Sequence, residues 1–383
     1  MRSVEDMFDS SSIIVSTFPP KPCGLATFSS ALLNGLGSVG VGDTHVLAVS
    51  PRQHDHLDPR VVGTLHPDSI SSVTHAANIL NQYNVVFLQH EYGIFGHSDG
   101  QGALDLLTQL EVPVISTLHS VPLRPTSRQK IVLEEVVGHS AAVVTMTEVA
   151  RQRLFGLYEV DESKIMTIPH GATIPPNAGL TSAQPPLLLT WGLLGPGKGI
   201  EWVLQAIALI KDEVPNFRYL VAGQTHPNIV RDSGEAYREM LQAKVQELGI
   251  GSIVQFDASY KPLGSLLDLI QSATCVVLPY ESMDQITSGV LVDAIAASKP
   301  VIATQFSHAV ELLSGGAGIL VPPQNPEEMS RAIKRVLHHP EAVVKMAGRA
   351  AQLAPLHTWS TVARQYSTIA RRVTFNSKIG VAS

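Results

Sequence analysis

The chain is poor in charge and in aromatic rings. Charged residues make up 16% of its 383 positions and aromatic residues 5%, against 44% hydrophobic. That balance excludes a disordered or fibrous chain, because such chains are polar, repetitive or both. Basic residues are outnumbered. Lys and Arg total 27 against 33 Asp and Glu, a net charge of −6, and the isoelectric point is near 6.2. This gives no basic footprint for nucleic acid. Only two cysteines occur, Cys23 and Cys275, far apart in sequence. They provide no disulfide framework and point to a reducing, cytoplasmic location. No apolar run approaches the roughly 20 residues of a membrane span, although peripheral membrane contact stays open. The segment 1–12, MRSVEDMFDSSS, is acidic and polar and does not read as a secretory signal. There is no Asp-x-Asp metal motif and no repeat of solenoid period. There is also no strand–Gly-x-Gly-x-x-Gly–helix unit with an acid about 20 residues further on, which weakens a dinucleotide-dependent dehydrogenase.

What is present is alternation. In the first half, short apolar runs at 13–16, 45–50, 85–89, 112–117, 141–146 and 164–169 predict strands. They are apolar on both faces, as strands of a buried parallel sheet are. Amphipathic stretches at 27–36, 69–82, 102–110, 127–138 and 148–156 predict the helices between them. Residues 170–186, HGATIPPNAGLTSAQPP, read as a linker. The alternation then restarts. Strands are expected at 186–191, 218–223, 252–257, 275–279, 300–304 and 318–322. Helices are expected at 199–212, 235–248, 262–271, 289–297, 327–337, 340–353 and 358–373. Repeated βαβ units of this kind predict an α/β protein of two Rossmann-like domains with a cleft between them. In open sheets ligands sit beyond the carboxyl ends of the strands.

Several loops carry chemistry at those ends. The segment 278–306, LPYESMDQITSGVLVDAIAASKPVIATQF, takes a strand into a polar loop and then a helix. Unpaired N–H groups and the dipole at a helix start suit a phosphate. Gly289 allows close approach, and Asp293 lies one turn in, on a face that suits a ribose hydroxyl pair. The plainer alternative is a Ser/Thr N-cap with a solvated acid. A second loop, WGLLGPGKGIE, surrounds Lys198 with Gly192, Gly195, Gly197 and Gly199. It suits a diphosphate but is no Walker A motif, since no Ser or Thr follows the lysine; the alternative is a Gly-rich turn. In the first half, PPKPCGLATFSS places Gly24 in a tight path, with Thr27 as a candidate helix cap. Three histidines each follow a strand: His90 beside Glu91, His119, and His170. They predict a polar lining, with His119 the candidate nearest the reacting centre.

Together, PPKPCGLATFS, FLQHEYGIFG, TLHS, IPHG, GLLGPGKGIE, VAGQTHP, PYESMDQITSGVLVDAIAASKPVIAT and GILVPPQNPEEM resemble the retaining GT-B glycosyltransferases of family 4 (glycosyltransferase group 1 type). The resemblance covers almost the whole chain. It implies an acceptor-binding domain at 1–175, a nucleotide-sugar domain at 176–356, and a C-terminal helix at 357–383 that crosses back to the first domain. It also implies a donor site at Gly24, Gly192, Lys198, Glu281, Gln285, Ile286, Thr287, Ser288, Gly289 and Asp293. Asp293 would hold the ribose, Lys198 the diphosphate, and the acceptor would meet His90, Glu91 and His170. His119 and Lys198 would carry catalysis, without a metal or other cofactor. The chain departs from the family at two places. Gln285 stands where an acid usually contacts the donor sugar, so Glu281 or Asp284 is the candidate replacement. Leu193 stands where a Gly-Arg-Leu motif has arginine. The implied reaction is hexose transfer from a nucleotide diphosphate sugar, GDP-mannose or UDP-glucose in type, to a sugar or glycan acceptor. The competing readings are an epimerase, hydrolase or phosphorylase on the same fold, and a non-catalytic nucleotide-sugar-binding subunit.

Overall fold

A computed structural model describes residues 11–51, 57–179, 185–214 and 216–380. The linker reading therefore falls partly, at 180–184, and the reading of 1–12 largely, at 1–10, outside the described residues. The chain forms two compact units. One comprises Met1–Gly171 with Trp359–Ser383, the other Ala172–Thr358.

The first unit holds seven strands: β1 (Ser12–Ser16), β2 (Thr44–Val49), β3 (Val61–Leu65), β4 (Val85–His90), β5 (Val114–Leu118), β6 (Ala142–Thr145) and β7 (Ile165–Thr167). Their order is β3-β2-β1-β4-β5-β6-β7, and every pair is parallel. β1, β4 and β5 are buried along their whole length. Helices cover both faces of such a sheet, which is why these strands read as unbroken apolar runs. β3 escaped the sequence reading. It is a half-exposed edge strand with Gly63 at its centre, so it carries little apolar signal. The helix after β1 also differs from expectation. It spans Gly24–Ser38, and its cap is Cys23, whose Sγ accepts from the Ala26 N–H at 3.3 Å. Thr27 lies inside the first turn instead, its hydroxyl donating to the Cys23 carbonyl.

The last helix, Trp359–Gly380, belongs to this first unit. Its buried stripe, Val362, Ala363, Tyr366, Ile369, Ala370 and Val373, joins Phe28, Leu32 and Leu36 in one core. Spacings of three and four residues keep these side chains on one face. The Val, Ile, Leu and Phe side chains among them contribute roughly 1.5–3 kcal/mol each when fully buried. Tyr366 also reaches the sheet, its hydroxyl 2.9 Å from that of Thr117 in β5.

The second unit holds β8 (Leu187–Trp191), β9 (Arg218–Ala222), β10 (Val254–Asp257), β11 (Cys275–Leu278), β12 (Val301–Thr304) and β13 (Gly318–Val321), in the order β10-β9-β8-β11-β12-β13. All pairs are again parallel. Two helices here were not foreseen, Pro227–Ser233 and Ser307–Leu313. Each has seven residues, too few to display a periodic apolar face. Both cysteines are free, Cys275 within β11.

Tyr366→Phe should lower the stability of the first unit by about 1–2 kcal/mol, since it strands the buried Thr117 hydroxyl. A urea midpoint unchanged from wild type would show that this bond carries no net stability.

Candidate functional site

In the second unit the sheet grows outward in both directions from the β8–β11 pair. The chain crosses to opposite faces there, so the loops after these two strands open a crevice at their carboxyl ends. Those loops are the two singled out in the sequence, 192–199 and 279–288. They are locked together. The Glu281 N–H donates to the Gly197 carbonyl at 3.0 Å. Gly199 sits at φ +68, and a Cβ there would lie 1.9 Å from the Pro279 carbonyl oxygen. Only glycine permits both that backbone and that approach. Gly192, at φ +123, lies against Val290, the second residue of the helix Gly289–Ala296.

The side chains divide into partnered and unpartnered. The Trp202 indole N–H donates to Glu281 at 2.6 Å, so one carboxylate oxygen of Glu281 ties the helix Ile200–Ile210 to the second loop. Gln285 turns back on the loop, donating to the Thr287 carbonyl at 3.2 Å. The Ile286 side chain is buried. Asp284 is exposed. Ser288 caps the helix by accepting from the Leu291 N–H. Its own N–H donates to His308 Nδ1 at 2.9 Å. The expectation that the Ser288 N–H faces a ligand is thereby corrected, because a buried imidazole takes it. The N–H groups of Gly289 and Val290 have no partner among the described residues.

Two charged groups stand apart from this network. The Lys198 ammonium lies 4.5 Å from the centroid of the Tyr280 ring and pairs with no acid among the described residues. Such a contact is worth about 0.5–2 kcal/mol. Burial lowers its pKa. The Asp293 carboxylate has neither hydrogen bond nor ion pair among the described residues, and burial alone pushes its pKa up to about 7.

The first unit assembles the histidines. Its sheet reverses at β1–β4, so the loops carrying Gly24 and His90 flank that point. Space around Gly24 is open. The His119 ring Nε2 lies 2.9 Å from Gln89 Oε1. An amide oxygen only accepts, so Nε2 carries the proton. Phe28 packs edge-on to His119 at 4.9 Å and to His170 at 5.1 Å, and Trp359 lies 5.2 Å from Phe28. His170 Nδ1 bonds the Gly171 carbonyl at 2.7 Å. His90 is fully buried and stacks on Phe95, with neither ring nitrogen partnered. Burial holds His90 down to about 4, and burial with the neighbouring His170 and His90 holds His119 down to about 3. These rings are neutral at physiological pH. Glu91 accepts from the Ser120 hydroxyl, and burial raises its pKa. Sequence reasoning missed Gln89, Trp359, Tyr280 and His308, whose roles come from contacts with segments distant in sequence.

Residues 176–353 match the family described as glycosyl transferases group 1. Among relatives, the D-inositol 3-phosphate glycosyltransferase of Corynebacterium glutamicum (strain R) is 24% identical over 286 residues, covering 67% of this chain and 66% of that protein. That of Streptomyces griseus is 31% identical over 180 residues, covering 45% and 36%. The chain thus spans between about a third and two thirds of the length of the curated relatives named here. Among solved structures, sucrose-phosphate synthase from Thermosynechococcus elongatus superposes with a TM-score of 0.76 at 18% identity, over 97% of this chain and 100% of that one. Anabaena HepE in complex with UDP and glucose gives 0.74 at 16%, over 94% and 99%. The fold is therefore that of the GT-B glycosyltransferases, two parallel-sheet α/β units.

The raised pKa of Asp293 has a consequence for stability. Between its unfolded value near 4 and its folded value of about 7, the folded chain holds a proton that the unfolded chain has lost. Stability contributed by Asp293 therefore falls as pH rises through that window, with a slope of at most about 1.4 kcal/mol per pH unit. Asp293→Asn should flatten the thermal-stability profile between these limits. A profile identical to wild type would place the titration elsewhere.

Proposed function

We propose that this chain, whose residues 176–353 carry the glycosyl transferases group 1 pattern on a GT-B fold, transfers a hexose from a nucleoside diphosphate sugar to a hydroxyl of a carbohydrate or glycoconjugate acceptor, with retention at the anomeric carbon. One observation carries the reading. Lys198 and Asp293 are both half-buried, and neither has a hydrogen-bond or ion-pair partner among the described residues, on the two segments that meet at the β8–β11 reversal. Withdrawing a charge from water without a partner is costly, and folds keep such groups where a ligand completes them. A nucleoside diphosphate completes both. Its phosphates suit the ammonium and the free N–H groups of Gly289 and Val290, and its ribose hydroxyls suit the carboxylate.

The chemistry then follows from charge. As the bond from the anomeric carbon to the diphosphate oxygen breaks, the sugar gains oxocarbenium character and the diphosphate gains negative charge. Lys198 and the two N–H groups are fixed donors for that charge, so they stabilise the transition state more than the ground state. Gly192 and Gly289 leave room for the phosphates. In this reading Glu281 serves by holding the loop, and Gln285 is the remaining polar candidate for a sugar hydroxyl. Ile286, Thr287 and Ser288 shape the donor loop. His119 acts as a neutral hydrogen-bonding group and not as an acid or base. Acceptor recognition is assigned to Glu91 and His170 of the first unit, while His90, expected there from the sequence, is fully buried against Phe95 and serves only to support that wall. The relatives' names support a phosphorylated polyol acceptor, and the UDP in the HepE structure supports uracil as the first base to try.

Lys198→Ala should lower turnover by roughly 10²-fold or more, the range of electrostatic stabilisers. Asp293→Asn should weaken nucleoside diphosphate binding by about 1.5–3 kcal/mol, the worth of hydrogen bonds to a charged group. Gln285→Ala should leave that affinity intact and lower transfer. Calorimetric titration of UDP and GDP, with product assays with and without acceptor, checks all three. Wild-type transfer rates in folded Lys198→Ala would overturn the assignment, and sugar release without an acceptor would make the enzyme a hydrolase.

A further inference from the structure

The glycine-rich loop 192–199 carries one cation, Lys198, the residue assigned above to the diphosphate. A second donor stands beside it on a different strand end. β9 ends at Ala222, and Gly223, at φ +133, passes so close to the Gly192 carbonyl that a Cβ would lie 2.0 Å from it. The chain then pairs with the glycine-rich loop. The Leu194 N–H donates to the Gln224 carbonyl and the His226 N–H to the Leu194 carbonyl, both at 2.8 Å, forming a parallel bridge between Leu194 and Thr225. A second layer fixes this strand end. Arg238 donates to the Gly223 carbonyl at 2.6 Å and to Glu235 at 3.2 Å, and Glu235 also accepts from the Thr225 hydroxyl. His226 is thus held in register with the loop that carries Lys198.

The ring has a defined polarity. Its Nδ1 accepts from the Asn228 N–H at 3.2 Å, so the neutral ring carries its proton on Nε2. That nitrogen has no partner among the described residues, although the residue is half-buried. Lys198 is close enough that its charge, added to burial, keeps the imidazole below its ordinary pKa. The backbone bridge between Leu194 and Thr225 therefore brings the segments carrying Lys198 and His226 together beyond the ends of β8 and β9. We propose that His226 donates its Nε2–H to the diphosphate of the bound nucleotide, as the second side-chain donor beside Lys198. This rests on the nucleotide-sugar reading of the same site, and it adds a residue that neither glycine spacing nor the helix start reveals.

The probes are UDP and GDP, whichever the wild type binds, with the matching monophosphate and nucleoside. His226→Ala should weaken the diphosphate about 10-fold or more, as expected for one hydrogen bond to a charged group, while nucleoside affinity stays unchanged. His226→Gln keeps an N–H donor and should stay within about 3-fold of wild type. His226→Asp keeps a cap for Asn228 but presents a negative charge, so it should bind the diphosphate more weakly than His226→Ala. If His226→Asp binds like wild type, the ring is only a cap and the proposal fails. It also fails if His226→Ala binds the diphosphate normally, or loses nucleoside and diphosphate equally. Lys198→Ala separates the two levels. Weakened diphosphate binding there with no effect at His226 removes this inference alone. No binding of either nucleotide by wild type removes the underlying reading as well.

Discussion

The hydrogen bonds between β8 and β11, pairing Leu188 with Cys275 and Leu189 with Val276, organise the second unit's candidate site. They join strands far apart in sequence, and the sheet then grows away from them on both sides. Each strand must deliver its chain to a helix on the opposite face, so the space beyond their carboxyl ends stays open. Two loops fall into that space and are forced against each other. Gly199 accepts the Pro279 carbonyl at a separation no side chain tolerates, and Glu281 closes the contact from the other side. The placement of Lys198 depends on this backbone contact.

A comparison of two lysines shows what sets that position apart. Lys299 is also withdrawn from water, and burial pushes it down to about 8. Its ammonium nevertheless donates to the carbonyls of Gly179 and Gln271, at 2.7 and 2.6 Å. Those bonds explain its burial without a ligand, and it serves to fasten the segment following residue 171 onto the second unit. Lys198 has a ring face and no acceptor. The same test separates the acids. Glu281 is satisfied by Trp202, whereas Asp293 is not satisfied at all. The first unit follows another rule. Its three histidines pack around Phe28 or Phe95, and one, His119, is oriented by Gln89. Glu91 at that end accepts from the Ser120 hydroxyl, and burial raises its pKa.

The sequence by itself determined the class of fold, because a parallel sheet covered on both faces writes itself as apolar runs that no edge or hairpin strand produces. It also determined where the glycine-rich turn, the Ser288 cap and the strand-end histidines lie, since each depends on neighbours a few residues away. It did not reveal β3, whose half-exposed edge position and central Gly63 erase the alternation that marks a strand. Thr27 was misread as a cap because a thiol, Cys23, performs a task that composition assigns to hydroxyls. The tertiary structure alone decided which groups are left without partners. Whether Glu281 faces a ligand or an indole, whether the Ser288 N–H is free or held by His308, and whether His226 stands beside Lys198 are all questions of contacts between distant segments. Those contacts are fixed by strand order, and strand order leaves no mark on the local sequence. It arises from how the sheet is assembled, and a charge becomes a site only when that assembly withholds its partner.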